Sequence, residues 1–135
     1  MSREKAPLRL ASEALARRDL SPAALTAKLE ARGVDAEEAA EAVDRLRAAG
    51  YVDEERFARA RAGTLAERGW GDAGIRDDLA RQGCTSDAIE VALGSLEPEP
   101  ERARTLVRRL GPGPRTLRRL AAKGFGDDAL EAASA

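Results

Sequence analysis

The sequence predicts an all-α protein of tandem three-helix repeats forming an elongated curved array. Three observations predict it. No stretch shows the clean two-residue alternation of a half-buried strand, whereas helix start and stop signals recur throughout. Three segments echo one another: L-E-A-R-G-V-D-A-E-E-A from Leu29, L-A-R-Q-G-C-T-S-D-A-I from Leu79, and L-A-A-K-G-F-G-D-D-A-L from Leu120. In each, a leucine stands four residues before a glycine (Gly33, Gly83, Gly124), which an apolar residue (Val34, Cys84, Phe125) and an acid-rich helix start then follow. The glycines are 50 and 41 residues apart, in the range of internal repeats. Finally, alanine supplies much of the 43% hydrophobic content, so each unit has too little core to stand alone and must share burial with its neighbours. The expected divisions are a flexible N-terminus at 1–7, a first repeat at 8–50, a second at 51–96, a linker at 97–100 and a shortened third repeat at 101–135.

The first helix spans Leu8 to Arg18, with Leu10 or Ala11, Ala14 and Leu15 toward a core. Ser21 is a good N-cap for the second, Pro22 fits its first position, and Leu20 can staple to Leu25; Gly33 closes it. In the third, Asp35 and Glu38 have the spacing of a capping box, and Ala39, Ala42, Val43, Leu46 and Ala49 form a stripe of mostly small residues. Gly50 ends that helix, and Tyr51 is placed for the hydrophobic contact common beyond a C-cap. Asp53 caps the fourth helix, with Glu54 and Glu55 at its positive end and Val52 and Phe57 spaced as a staple. Phe57, Arg61 and Leu65 share one face of it.

Gly69-Trp70-Gly71 turns the chain into a fifth helix, Asp72 to about Gln82, in which Ile75 and Leu79 face inward under Trp70. Gly74 inside it costs about 0.5–1 kcal/mol relative to alanine, so this helix depends on tertiary contacts. Thr85 caps the sixth helix, where Cys84 can staple to Ile89 while Ile89, Leu93 and Leu96 face inward. Glu97-Pro98-Glu99-Pro100 reads as a polar hinge or stiff linker. A seventh helix runs from Glu101 to Leu110, Gly111 to Pro114 breaks it, an eighth runs from Arg115 to Lys123, and a short ninth begins after Gly124 and Phe125. The clipped third unit is expected to be less protected from hydrogen exchange than the middle one.

The chemistry is mostly exclusion. With no histidine, the common general base, many zinc sites and most nucleophilic triads are ruled out. A single cysteine, Cys84, forbids an intrachain disulfide and suits a reduced, cytoplasmic setting; no run reaches the roughly 18 apolar residues of a membrane span. Acidic pairs such as Glu54-Glu55 and Asp77-Asp78 sit at helix starts or on faces, and no P-loop or Rossmann fingerprint occurs. The expectation is a non-enzyme with no catalytic residue, no cofactor and no metal. Net charge is only −1, yet it is polarised. Glu101 to Lys123 holds eight bases (Arg102, Arg104, Arg108, Arg109, Arg115, Arg118, Arg119 and Lys123) against one acid, a candidate polyanion patch. Glu30 to Arg59 holds nine acids against five bases, so the molecule can orient against a protein or a polyanion.

The segments A-L-A-R-R-D-L-S from Ala14, A-A-G-Y-V-D-E-E-R-F-A from Ala48 and R-G-W-G-D-A-G-I-R-D-D-L from Arg68 resemble, in order, the bacterial RecX family. The resemblance covers about Leu10 to Ala132. It implies a monomeric cytoplasmic protein of recombination, DNA repair and the SOS response. Such a protein binds the RecA recombinase or its filament on single-stranded DNA, and inhibits ATPase, strand exchange and coprotease activity. It places Gly50, Tyr51, Asp53, Arg56 and Phe57 in the motif joining the first two units, and Gly69, Trp70, Gly71, Ile75 and Leu79 in the second motif, mostly as scaffold. Arg17, Arg18, Arg56, Arg61, Arg68, Arg76 and Arg81 are the candidate partner contacts, because their charge is expendable for packing and useful between filament subunits. Asp72, Ala73 and Gly74 depart from the family, whose members often carry Pro or Arg, Arg or Lys, and another long polar residue there. The alternatives are a small helical DNA-binding regulator, with direct contact to single-stranded or duplex DNA, and a constitutive helical scaffold.

Overall fold

The computed structural model describes residues 5–135. Among them the helices are α1 (Lys5–Arg17), α2 (Pro22–Ala31), α3 (Ala36–Ala48), α4 (Glu54–Glu67), α5 (Asp72–Arg81), α6 (Ser86–Gly94), α7 (Glu99–Leu110), α8 (Pro114–Ala122) and α9 (Asp127–Ser134). They form three three-helix units in an elongated array, each around its own core. The first core holds Ala11, Leu25, Leu29, Ala39 and Val43; the second holds Phe57, Ala62, Leu65, Ile75 and Leu79. The third is the smallest, with Ala103, Leu120, Phe125 and Ala129 buried. No helix among the described residues is long and apolar enough to cross a membrane.

The repeated leucine–glycine spacing is a repeated helix stop. The amide two residues beyond the C-cap donates to the leucine carbonyl in each unit: Val34 to Leu29, Cys84 to Leu79 and Phe125 to Leu120, all at 3.1 Å. This is the Schellman closure, and the glycine between must have positive φ, here 89°, 83° and 95° for Gly33, Gly83 and Gly124.

The same turns join the units. Ser21, the N-cap of α2, accepts from the Ala24 amide and donates its hydroxyl to the Gln82 carbonyl at the end of α5. At the start of α5, the Gly71 amide donates to the Lys123 carbonyl at 2.8 Å and the Ala73 amide to the Gly124 carbonyl at 3.2 Å, at the end of α8. Thus α8, α5 and α2 follow one another with a carbonyl-rich end meeting an amide-rich end, which satisfies orphan backbone groups and pairs opposite dipole ends. Close approach makes the joint possible: a Cβ on Gly71 would lie 2.3 Å from the Phe125 nitrogen, and one on Gly74 2.5 Å from the Lys123 carbonyl oxygen. Gly74, a cost within its own helix, is required by this joint. Because Ser21 serves a cap and a joint together, Ser21→Ala is expected to lower stability by roughly 1–2 kcal/mol, measurable by urea unfolding.

Several local expectations shift. Helix α1 begins at Lys5 instead of Leu8, and Pro7 is tolerated because first-turn amides need no intrahelical partner; residues 1–4 of the expected flexible N-terminus lie outside the described residues. For the same reason α7 starts at Glu99, with Pro98 as its N-cap and Pro100 in its first turn, so part of the expected linker is helix. Asp35 caps α3 through the Glu37 amide at 3.3 Å instead of closing a box with Glu38. Val52 packs in the first core and Phe57 in the second, so they tie two units to one connection instead of stapling a single helix. Tyr51 makes the backbone closure to Leu46 but leaves its ring 68% exposed, so its scaffold role is in the main chain.

Candidate functional site

Helix α4 is the central element, and its three arginines have different environments; Arg59 makes an exposed pair with Glu55 at 3.6 Å. Asp53 caps it through the Arg56 amide at 3.1 Å, and the Arg56 guanidinium turns back to the Gly50 and Tyr51 carbonyls at 3.3 and 3.5 Å. Arg61 donates through Nε and Nη2 to the two carboxylate oxygens of Asp78, which is only 7% exposed. That bidentate hydrogen bond, aided by the charges of Arg61 and Arg81, holds the Asp78 carboxyl below its ordinary value despite burial. Arg61 is therefore a packing cation between α4 and α5, not an unengaged contact residue. Arg76 is likewise engaged, bidentate to Glu90 at 3.2 and 3.1 Å, and this holds Glu90 below the usual range.

Arg17, Arg18, Arg68 and Arg81 are exposed and have no ion pair or side-chain hydrogen bond among the described residues. Two of these four line one groove. Arg18, after α1, and Arg68, the C-cap of α4, border a groove of about 290 Å³ between the first two units, with Phe57, Ala60 and Leu65 on its wall, Arg61 within it and Asp19 as its one acid. Arg17 lies apart, lining a smaller depression with Lys28 and Arg32.

The basic segment also divides. Arg102 is buried: it donates to the Glu97 carbonyl at 2.9 Å, the Trp70 carbonyl at 3.4 Å and the Asp72 carboxylate at 2.9 Å, and its guanidinium lies 5.8 Å from the Phe125 ring centre. It belongs to the joint between the second and third units, not to a polyanion surface. Arg104 pairs with Glu101, and Arg108 donates to Thr105. Arg109, Arg115, Arg118 and Arg119 are exposed, while the Lys123 ammonium stands 5.1 Å from the Trp70 ring. Glu99, which the sequence reading passed over, accepts from the Asp72 amide at 2.6 Å and the Gly126 amide at 3.1 Å. Its signal was positional: Glu54 is also the first residue of its unit's first helix, and also binds the cap of the third, through the Thr85 amide and hydroxyl at 3.3 and 3.0 Å. Asp72, a departure from the family motif, is the partner Arg102 needs.

Cys84 packs in the second core, where burial first, then Glu54 and Asp78, push its thiol up to about 11. It is a protonated core residue. Among the described residues no three His, Cys, Asp or Glu side chains are grouped to hold a metal ion.

Residues 53–93 match the family model described as RecX, second three-helix domain. The chain is 39% identical over 142 aligned residues to the regulatory protein RecX of Stenotrophomonas maltophilia strain K279a, covering 98% of this chain and 87% of that protein. It is 38% identical to the regulatory protein RecX of Xanthomonas axonopodis pv. citri strain 306, covering 98% and 88%. The fold matches the crystal structure of RecX from Lactobacillus salivarius with a TM-score of 0.81 at 17% identity, over 96% of this chain and 92% of that one. Since the likeness in sequence runs through all three units, the chain belongs to the RecX family, the RecA-regulating proteins that its motifs resemble.

Proposed function

We propose that this protein binds the RecA recombinase in its filament on single-stranded DNA and inhibits ATPase, strand exchange and coprotease activity. The observation that carries the reading is the likeness, over nearly the whole chain, to proteins named regulatory protein RecX. The surface that supports it is the groove between the first two units, where Arg18 and Arg68 present guanidinium forks that have no ion pair among the described residues, beside Phe57, Ala60 and Leu65 and with Asp19 as the one acid of the lining. Three units, each with its own core, support a reading in which the protein bridges neighbouring recombinase subunits. Bridging obstructs incoming DNA or favours filament disassembly.

Because both arginines are exposed, charge reversal there tests contact without testing folding. Arg18→Glu with Arg68→Glu is expected to raise the concentration for half-inhibition of RecA ATPase at least tenfold, with the melting temperature within about 4 °C of the parent, equivalent to about 1 kcal/mol. Unchanged inhibition by this double variant would remove the groove as the contact.

A further inference from the structure

The seam between the second and third units carries another groove, of about 120 Å³, which the recombinase-contact reading above leaves unassigned. Its rim is cationic: Arg68 at the end of α4, Arg109 on α7, Arg119 on α8 and Lys123 at its C-cap, against one acid, Glu67. These cations come from three helices, so they are not the solvated face of one. Arg119 and the C-cap Lys123 stand one turn apart at the end of α8, where like charges repel, and no carboxylate among the described residues pairs with either. The floor is aliphatic, formed by Leu106, Leu110 and Leu120, and Leu110 is 42% exposed. Arg68 borders both grooves, so the two adjoin.

Rim and floor together select the partner. Single-stranded nucleic acid is held by a cationic track with aromatic faces on which bases stack. Here the neighbouring aromatic, Trp70, already carries the Lys123 ammonium over its ring, and a sugar–phosphate backbone has nothing to place on the leucines. A peptide with carboxylates and a large apolar side chain satisfies both features: the carboxylates meet the arginine forks while the apolar group covers Leu106 and Leu110. We infer that this seam docks an acidic peptide segment bearing a large apolar side chain, presented by the recombinase filament; the inference rests on the recombinase reading above.

The test is the affinity of fluorescently labelled protein for RecA filaments on oligo-dT, set beside its affinity for bare oligo-dT. Arg109→Glu with Arg119→Glu, and separately Leu110→Asp, are expected to weaken filament binding at least tenfold and leave binding to the bare oligonucleotide unchanged. Arg115→Glu with Arg118→Glu, which makes the same charge change on exposed residues outside the groove, is expected to weaken it less than threefold. Circular dichroism establishes that each variant is folded. Filament affinity unchanged in the groove variants would overturn the assignment, as would an equal loss on bare oligo-dT, which would make the groove a phosphate track. An equal loss in the Arg115/Arg118 variant would overturn it too, showing a diffuse charge effect. If the parent protein itself binds no filament, the recombinase reading falls and this one with it, so the two failures are distinguishable.

Discussion

Gly71→Ala should release the third unit from the second. Gly71 has φ −85° and ψ 172°, which alanine adopts without strain, so the effect isolates one steric conflict. The added methyl would lie 2.3 Å from the Phe125 nitrogen and 2.5 Å from the Gly124 carbonyl carbon, both main-chain atoms held by the closure at the end of α8. Neither can rotate away as a side chain can. The joint must open, losing the Gly71 and Ala73 amide hydrogen bonds and loosening the grip of Glu99 and Arg102 on the start of α5. A destabilisation of about 3 kcal/mol is expected, the upper part of the overpacking range, together with faster hydrogen exchange at Gly71 and Ala73. Gly63 supplies the contrast: it lies within α4 and a methyl there meets nothing within 4 Å. Gly63→Ala is expected to stabilise by about 0.5–1 kcal/mol through helix propensity. If both substitutions proved equally mild, the close backbone joint would be wrong.

Arg61→Ala should cost nearly as much, for an electrostatic reason. It leaves the Asp78 carboxylate buried with its main donor gone, and breaking a buried pair costs about 3–5 kcal/mol. Since Arg61 is 31% exposed, screening places this case near the lower end, about 3 kcal/mol. The pH dependence gives the mechanism its own signature. In the parent, Asp78 binds its proton less tightly folded than unfolded. Its contribution is therefore fully present above the ordinary value of 3.8 and is lost as the pH falls through that value toward the lower folded one. In Arg61→Ala, burial without the partner raises the folded carboxyl instead, so stability should increase as the pH is lowered from neutral toward the ordinary carboxylate range. Arg61→Met with Asp78→Leu should recover most of the loss, because an apolar pair of similar volume carries no desolvation penalty. Urea unfolding of the parent, single and double variants at neutral and mildly acid pH reads all three outcomes. Loss of inhibition by an Arg61 variant would report this instability before it reported a lost contact.

What was legible in the sequence is what local spacing encodes. Ser21, Asp53 and Thr85 cap as their patterns imply, and Gly33, Gly83 and Gly124 stop three equivalent helices. The joints were not legible in that way, because Gly71 and Gly74 are required by main chain about fifty residues distant, and in the sequence they look like a turn and a helix defect. The arginines divided poorly for a related reason: a guanidinium on a helix face looks the same whether its acceptor is solvent or a carboxylate on another helix. Two signals were nevertheless present. Asp78 falls at i+3 from Ile75 and beside Leu79, on the inward face of α5, and a carboxylate there requires a cation. Arg102 falls beside Ala103 and one turn before Leu106, on the buried stripe of α7, so it was never well placed to meet a polyanion.

The most direct measurement is RecA ATPase on single-stranded DNA while the purified protein is titrated in. Inhibition at protein concentrations well below stoichiometry with the DNA is the expected result, because a filament regulator acts through the recombinase and not by masking the strand. Unchanged ATPase together with absent filament binding would contradict the regulatory reading and leave a helical scaffold or a DNA-binding protein in its place.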